Sequence, residues 1–272
     1  MVLELKNFDM NMISDDKVVV LIGKRETGKS FLVKDLLYYH KDIPVGTVIS
    51  GTEGANSFYS KIMPSIFIHG EYNQEIISNV LKRQKKVISA TKKELNNIGT
   101  TNIDSRAFLI LDDCLYDKSW VNSKYVRSLF MNGRHYKIMF IITMQYALGI
   151  PPNLRTNIDF TFLLRENIVS NRKKLYEQYA GMFPTFDSFC QVMDQCTENF
   201  ECLVINNNAK SNKLEDQVFW YKADPHDDFI LGAPQFWDYH NENFNDSSSE
   251  EEFNINNITN KKKTIINVKK KY

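Results

Sequence analysis

The sequence predicts an α/β fold, a mostly parallel sheet flanked by helices, on three observations. The run Val18, Val19, Val20, Leu21, Ile22 is apolar at every position, as a strand buried on both faces must be. Similar runs recur at residues 47–50, 66–68, 108–111, 138–143 and 160–164. Helix-length stretches near residues 74–96, 123–132 and 172–180 separate them, and strands alternating with helices are the pattern of parallel sheets with helical crossovers.

In chain order, the first strand stops at Gly23 and a glycine-bounded loop leads into a helix. That helix begins at Lys29 and repeats apolar residues at Phe31, Leu32, Leu36 and Leu37. Late in the chain, residues 200–205 and 217–221 flank the polar stretch 206–216, which reads as a hairpin at the sheet edge. From residue 241 onward Asn, Ser, Glu and Lys dominate. Such a segment buries too little apolar area to offset its ordering entropy, so the expectation is one domain over 1–240 and a disordered tail over 241–272.

With 272 residues, 43% of them hydrophobic and 25% charged, the chain can bury one substantial core. No run approaches the ~18 apolar residues of a membrane span, and Glu4, Lys6, Asp9, Asp15 and Asp16 interrupt the N-terminus, so neither membrane insertion nor secretion is expected. Cys114, Cys190, Cys196 and Cys202 form no CxxC pair, which points to reduced thiols in an intracellular compartment rather than to zinc. The net charge of +1 leaves the question of nucleic acid to local clusters, at Lys82 to Lys86 with Lys92 and Lys93, at Arg172 to Lys174, and at Lys261 to Lys263 and Lys269 to Lys271.

Gly23-Lys24-Arg25-Glu26-Thr27-Gly28-Lys29-Ser30 matches G-x-x-x-x-G-K-[ST] between a strand and a helix, the context that makes it a phosphate-binding loop. Glycines let backbone N–H groups and the helix N-terminus close round an anion. Residues 23–30 together with Phe31 are therefore the expected ATP-binding segment. Lys29 is expected on the β- and γ-phosphates, and the Ser30 hydroxyl on Mg²⁺. The fold class becomes a P-loop NTPase of the RecA/ASCE type. Residues 108–111 then deliver Asp112 and Asp113 at a strand's C-terminal end, where ligands bind in open α/β sheets. Asp112 is expected to hold Mg²⁺, and Asp113 to orient or deprotonate the attacking water. A third strand ends in Gln145, whose amide enters the same site if that strand lies between the other two. Arg134, Arg155 and Arg165 are candidates for stabilising a transferring phosphoryl group across a subunit boundary.

Together these elements resemble the FtsK/HerA superfamily of ring-forming DNA motors, and in particular the genome-packaging ATPases of poxviruses and other large nucleocytoplasmic DNA viruses. The resemblance spans residues 18–238. It is carried by the loop, by Leu109 to Asp113, by Asn132-Gly133-Arg134-His135, by residues 151–157 and by the late strands. It implies an ATP-driven motor that translocates double-stranded DNA as a homo-oligomeric ring, with a capsid or portal protein as a possible partner. It also implies that Arg134, at the start of the strand ending in Gln145, is the arginine finger, with Arg155 second. Asp113 stands where the superfamily usually carries Glu, and Arg25, Glu26 and Thr27 replace a glycine-rich set. The alternatives are a P-loop helicase or kinase, or a nucleotide-binding scaffold that does not turn over.

Overall fold

The computed structural model describes residues 3–114, 118–147 and 149–244. Among them eight strands form one sheet: β1 (Val18–Ile22), β2 (Gly46–Ser50), β3 (Ile68–His69), β4 (Ala107–Asp112), β5 (Ile138–Met144), β6 (Phe160–Leu163), β7 (Glu201–Asn206) and β8 (Val218–Lys222). Their order is β3-β2-β4-β5-β1-β6-β7-β8. The first six are parallel to one another, while β7 pairs antiparallel with β6 and continues into β8 as the antiparallel hairpin expected at the edge.

Side chains of β1 alternate between two separate cores, as the two-residue period of a strand requires. Val18, Val20 and Ile22 pack on one face with residues of α3 (Gln74–Ile98), α4 (Lys124–Asn132), α6 (Val169–Tyr179) and α7 (Phe186–Cys196). Val19 and Leu21 pack on the other face, against α1 (Lys29–Tyr39) and the segments around Phe8, Tyr59 and Phe229. Every residue of β1, β2, β4 and β5 is buried. This explains the unbroken apolar run of β1 and the long apolar runs in β4 and β5, while β2 buries Thr47 and Ser50 among its apolar residues.

The sheet edges are managed differently. At one edge β3 has only two residues; the expected strand at 66–68 begins instead as a 3-10 turn, Ser65–Phe67. At the other edge the N-terminal segment covers β8, with Phe8 N–H donating to the Trp220 carbonyl at 2.9 Å and Trp220 N–H donating to that of Lys6 at 3.1 Å. Phe8 sits edge-on to Phe160, Phe162, Phe219 and Tyr221. A buried Asp35 ties α1 to this edge, accepting from the Tyr221 hydroxyl at 2.6 Å and from His226 Nε2 at 2.5 Å. Burial raises the Asp35 pKa despite both donors.

The last described helix, α9 (Pro234–Phe244), runs through the expected boundary at 240/241, and residues 245–272 of the expected tail lie outside the described residues. Among the described residues no helix is long and apolar enough to cross a membrane.

Gly46 offers a test of this packing. It pairs with Phe108 across β2 and β4, and a Cβ there would fall 1.9 Å from Phe108 Cζ. Gly46→Ala should lower the denaturation midpoint by a cost of about 1–3 kcal/mol, as overpacking does. Gly54→Ala, where a Cβ meets no heavy atom within 4 Å, should leave it unchanged or higher. Equal midpoints for the two variants would contradict the ring's position over Gly46.

Candidate functional site

The loop between β1 and α1 is held from both sides by backbone bonds. Gly23 N–H donates to the Met144 carbonyl of β5 at 3.0 Å, and Leu164 N–H donates to the Ile22 carbonyl at 2.9 Å. A Cβ at Gly23 would fall 2.6 Å from Leu164 Cβ and 2.7 Å from Thr27 Oγ1, so glycine is required by close approach. Gly28 caps α1 with φ 95°, in the left-handed region, and offers no side-chain cap. The first N–H groups of an eleven-residue helix are thereby left to face an anion.

Within the loop, Lys29 Nζ donates to the carbonyls of Gly23 at 2.5 Å and Lys24 at 3.0 Å, and the Thr27 hydroxyl donates to the Lys24 carbonyl at 2.7 Å. Burial pulls the Lys29 ammonium below its ordinary range, opposed by the nearby carboxylates of Asp113 and Asp112. Lys24 pairs with Glu166 at 2.5 Å. Glu166 also accepts from the Ile168 amide at 2.8 Å and Asn171 Nδ2 at 3.0 Å. Burial pushes its carboxyl up, yet Lys24, Ile168 and Asn171 hold it below the usual range.

The order β4-β5-β1 puts β5, which Gln145 follows, between the loop strand and the strand ending in Asp112. Thr143, wholly buried in β5, bridges the two carboxylate residues: its hydroxyl donates to Asp112 Oδ1 at 2.6 Å and accepts from Asp113 N–H at 3.0 Å. Ser50 of β2 reaches Asp112 Oδ2 at 3.3 Å. Gln145 Nε2 donates to the Asp113 carboxylate. The Asp113 backbone is left-handed, with φ 50°. Two protonated groups pack beside this pair. Burial and then Asp112 raise the Tyr59 phenol well above its ordinary range, and burial with the same carboxylate pushes the Cys114 thiol up to about 12.

Lys29, Asp112, Asp113 and Gln145 thus converge at the end of the sheet where β1 stops. Arg134 does not join them. It lies exposed in the 3-10 turn Gly133–Tyr136 that enters β5 from the opposite edge, roughly 20 Å away along a seven-residue strand. Arg155 ends the short helix α5 (Pro152–Arg155), and its carbonyl accepts from Ile158 N–H near the start of β6. Its guanidinium packs over the Tyr179 ring at 5.6 Å, with one buried nitrogen that has no hydrogen-bond partner. Arg165 follows β6 at the loop end of the sheet and bonds Asn167 at 3.2 Å.

An oxygen donor set of the Asp112 carboxylate and the Ser30 hydroxyl suits a hard cation such as Mg²⁺, which is bound through one or two carboxylates plus phosphates and water. Among the described residues no group of three or more His, Cys, Asp or Glu could hold a metal by itself. Sequence reading missed Thr143, Glu166, Ser50 and Tyr59. Thr143, Glu166 and Ser50 each bond a partner distant in the chain, and Tyr59 is buried among residues distant in the chain, so no local motif signals them.

Thr143→Val keeps the shape and removes the hydroxyl, leaving the buried Asp112 oxygen and Asp113 N–H each short of a partner. The expected loss is about 1–3 kcal/mol of unfolding free energy in urea. An unchanged midpoint would show that the bridge does not form.

No protein-family model matches the chain. Solved structures share its fold at low identity. The genome packaging NTPase B204 of Sulfolobus turreted icosahedral virus 2, in complex with AMP, superposes with a TM-score of 0.53 and 16% identity, covering 78% of this chain and 100% of that one. The pCW3 conjugation coupling protein TcpA with ATPgS gives 0.51 and 15%, covering 77% and 60%. These likenesses establish the P-loop NTPase fold. Sequence relatives are far nearer. Uncharacterized protein L437 of Acanthamoeba polyphaga mimivirus is 41% identical over 89% of this chain and 84% of its own length. Uncharacterized protein 075L of Invertebrate iridescent virus 6 is 38% identical over 90% and 96%. The chain therefore belongs to the family of large-DNA-virus proteins that contains mimivirus L437 and iridescent virus 075L.

Proposed function

We propose that this chain binds ATP with Mg²⁺ at residues 23–30, hydrolyses it, and uses the energy to translocate double-stranded DNA as a homo-oligomeric ring of the FtsK/HerA type, packaging a viral genome. The observation that carries the reading is the strand order, which sets β5 between β1 and β4 and so brings Gln145 to Asp113 beside Lys29. Membership in a family found in large DNA viruses supports the viral setting, and the shared fold of a viral genome packaging NTPase supports the motor.

In this reading the loop N–H groups and Lys29 hold the phosphates. Lys29 then exchanges its bonds to two neutral carbonyls for charge-assisted bonds to phosphate oxygens. Asp112 and Ser30 would hold Mg²⁺, which would supply positive charge to the phosphoryl oxygens. Asp113 accepts a proton from the attacking water, while the Gln145 amide donates to the Asp113 carboxylate and keeps it aimed. Arg134, exposed and far from its own loop, reaches the γ-phosphate of a neighbouring subunit.

ATPase activity measured with and without double-stranded DNA tests the whole reading. Strong stimulation by DNA is expected, with activity abolished in Lys29→Ala. Asp113→Asn should keep nucleotide and Mg²⁺ binding while losing hydrolysis, because an amide is a far poorer base. Turnover indifferent to DNA would refute the motor, and a Lys29→Ala enzyme within a few-fold of wild type would refute the site.

Fingers supplied in trans are worth ~10³ or more in rate, so Arg134→Ala should cripple hydrolysis and spare nucleotide affinity. Mixed rings of Arg134→Ala and Lys29→Ala subunits should recover activity, since an intact loop from one meets an intact finger from the other. Mixed rings that form yet stay inactive would rule out the trans role.

A further inference from the structure

A cavity of about 350 Å³ adjoins the glycine loop on the side away from Asp112 and Asp113, lined by Gly28, Phe31, Leu32, Leu164, Phe200 and Lys222 with Ala223. The sheet order explains its place. β5 and β4 lie to one side of β1, and β6, β7 and β8 to the other. Leu164 follows β6, Phe200 precedes β7, and Lys222 ends β8 opposite Glu201, so all three stand at the edge where β1 gives way to the loop.

Two features of the lining are costly for folding alone. Phe200 is 68% exposed and Phe31 is 48% exposed, and neither belongs to either core. Phe200 also adopts φ 65°, directly after Asn199 at φ 51°. A bulky aromatic in the left-handed region is strained, and such strain persists where it serves a site. The ring is held close to the loop: a Cβ at Gly28 would lie 3.4 Å from Phe200 Cδ1.

We propose that Phe200 and Phe31 form an aromatic clamp for the base of a purine nucleoside triphosphate, whose phosphates occupy the glycine loop. The proposal rests on the nucleotide-binding reading above and adds to it the residues that take the base. A nucleotide with its γ-phosphate towards Lys29, Asp112 and Asp113 must direct its base across the loop to the β6–β8 side. There it meets apolar rings and aliphatic groups within a volume suited to a small ligand. Lys222 carries the one hydrogen-bonding side-chain group of the lining, a donor ammonium, and the remaining side chains are apolar, so the lining offers mainly surfaces for stacking.

Binding of Mg·ATP, Mg·GTP and Mg·tripolyphosphate to the full chain, measured by calorimetry, tests this. Phe200→Ala should weaken ATP and GTP alike, on the order of tenfold, and leave inorganic tripolyphosphate unchanged, because only the stacking surface is removed. Phe200→Trp should restore nucleotide affinity, and Phe31→Ala should act in the same direction as Phe200→Ala. Unchanged ATP affinity in Phe200→Ala, or an equal loss for tripolyphosphate, would overturn the clamp. Wild-type protein that binds neither ATP nor tripolyphosphate would instead refute the loop assignment beneath it.

Discussion

The site depends on one strand being hydrogen-bonded on both sides. β5 pairs with β4 along one edge and β1 along the other, and its last residues work in three directions at once. The Met144 carbonyl fixes Gly23, the Thr143 hydroxyl joins Asp112 to the Asp113 amide, and the Gln145 amide holds the Asp113 carboxylate. A slip of one residue in register would turn Thr143 to the opposite face and dissolve all three links. Burial of β5 along its whole length, with apolar contacts on both faces, is what forbids that slip.

The other half of the sheet fixes the loop by charge. Glu166, beyond β6, anchors Lys24, while Asp35 on α1 is bound to Tyr221 of β8 and to His226. Both carboxylates are buried and both are multiply hydrogen-bonded, the condition under which a buried charge is tolerated. The glycine loop is thus a short bridge whose ends are pinned to different elements. Between these pinned flanks Gly28 sits in the left-handed conformation and Lys29 bonds two backbone carbonyls of its own loop.

Much of this was legible in the sequence, for identifiable reasons. Strands buried on both faces print as apolar runs, so β1, β2, β4, β5 and β6 fall within a residue or two of expectation, and the edge hairpin announced itself by two strand-like runs round a polar stretch. The glycine loop is a local motif with a local cause. The sequence also stated the condition for Gln145, and the strand order meets it. Residues that act through tertiary pairing left no such trace. Thr143 looks like one more β-branched strand residue, Glu166 like a surface acid, and Phe200 like the first residue of a strand rather than an exposed ring in a strained backbone. α7 and α9 also went unread, although α7 repeats Phe186, Phe189, Val192, Met193 and Cys196 at helical spacing and opens with a Thr185–Ser188 capping box.

The substitution of Asp113 for the acid more usual in the resembling superfamily has a backbone explanation. Directly after Asp112 the chain leaves the sheet, and it does so through a left-handed residue with φ 50° before Cys114 is buried again. Aspartate and asparagine enter that region more readily than longer side chains, since their short polar groups can bond locally. Here the bonds are present, with the residue's own amide on Thr143 and its carboxylate on Gln145. The left-handed turn favours a short acid, and Gln145, which follows the neighbouring strand, donates to its carboxylate. In the proposed mechanism Asp113 and Gln145 therefore act as a matched pair, its geometry set by the turn that ends β4.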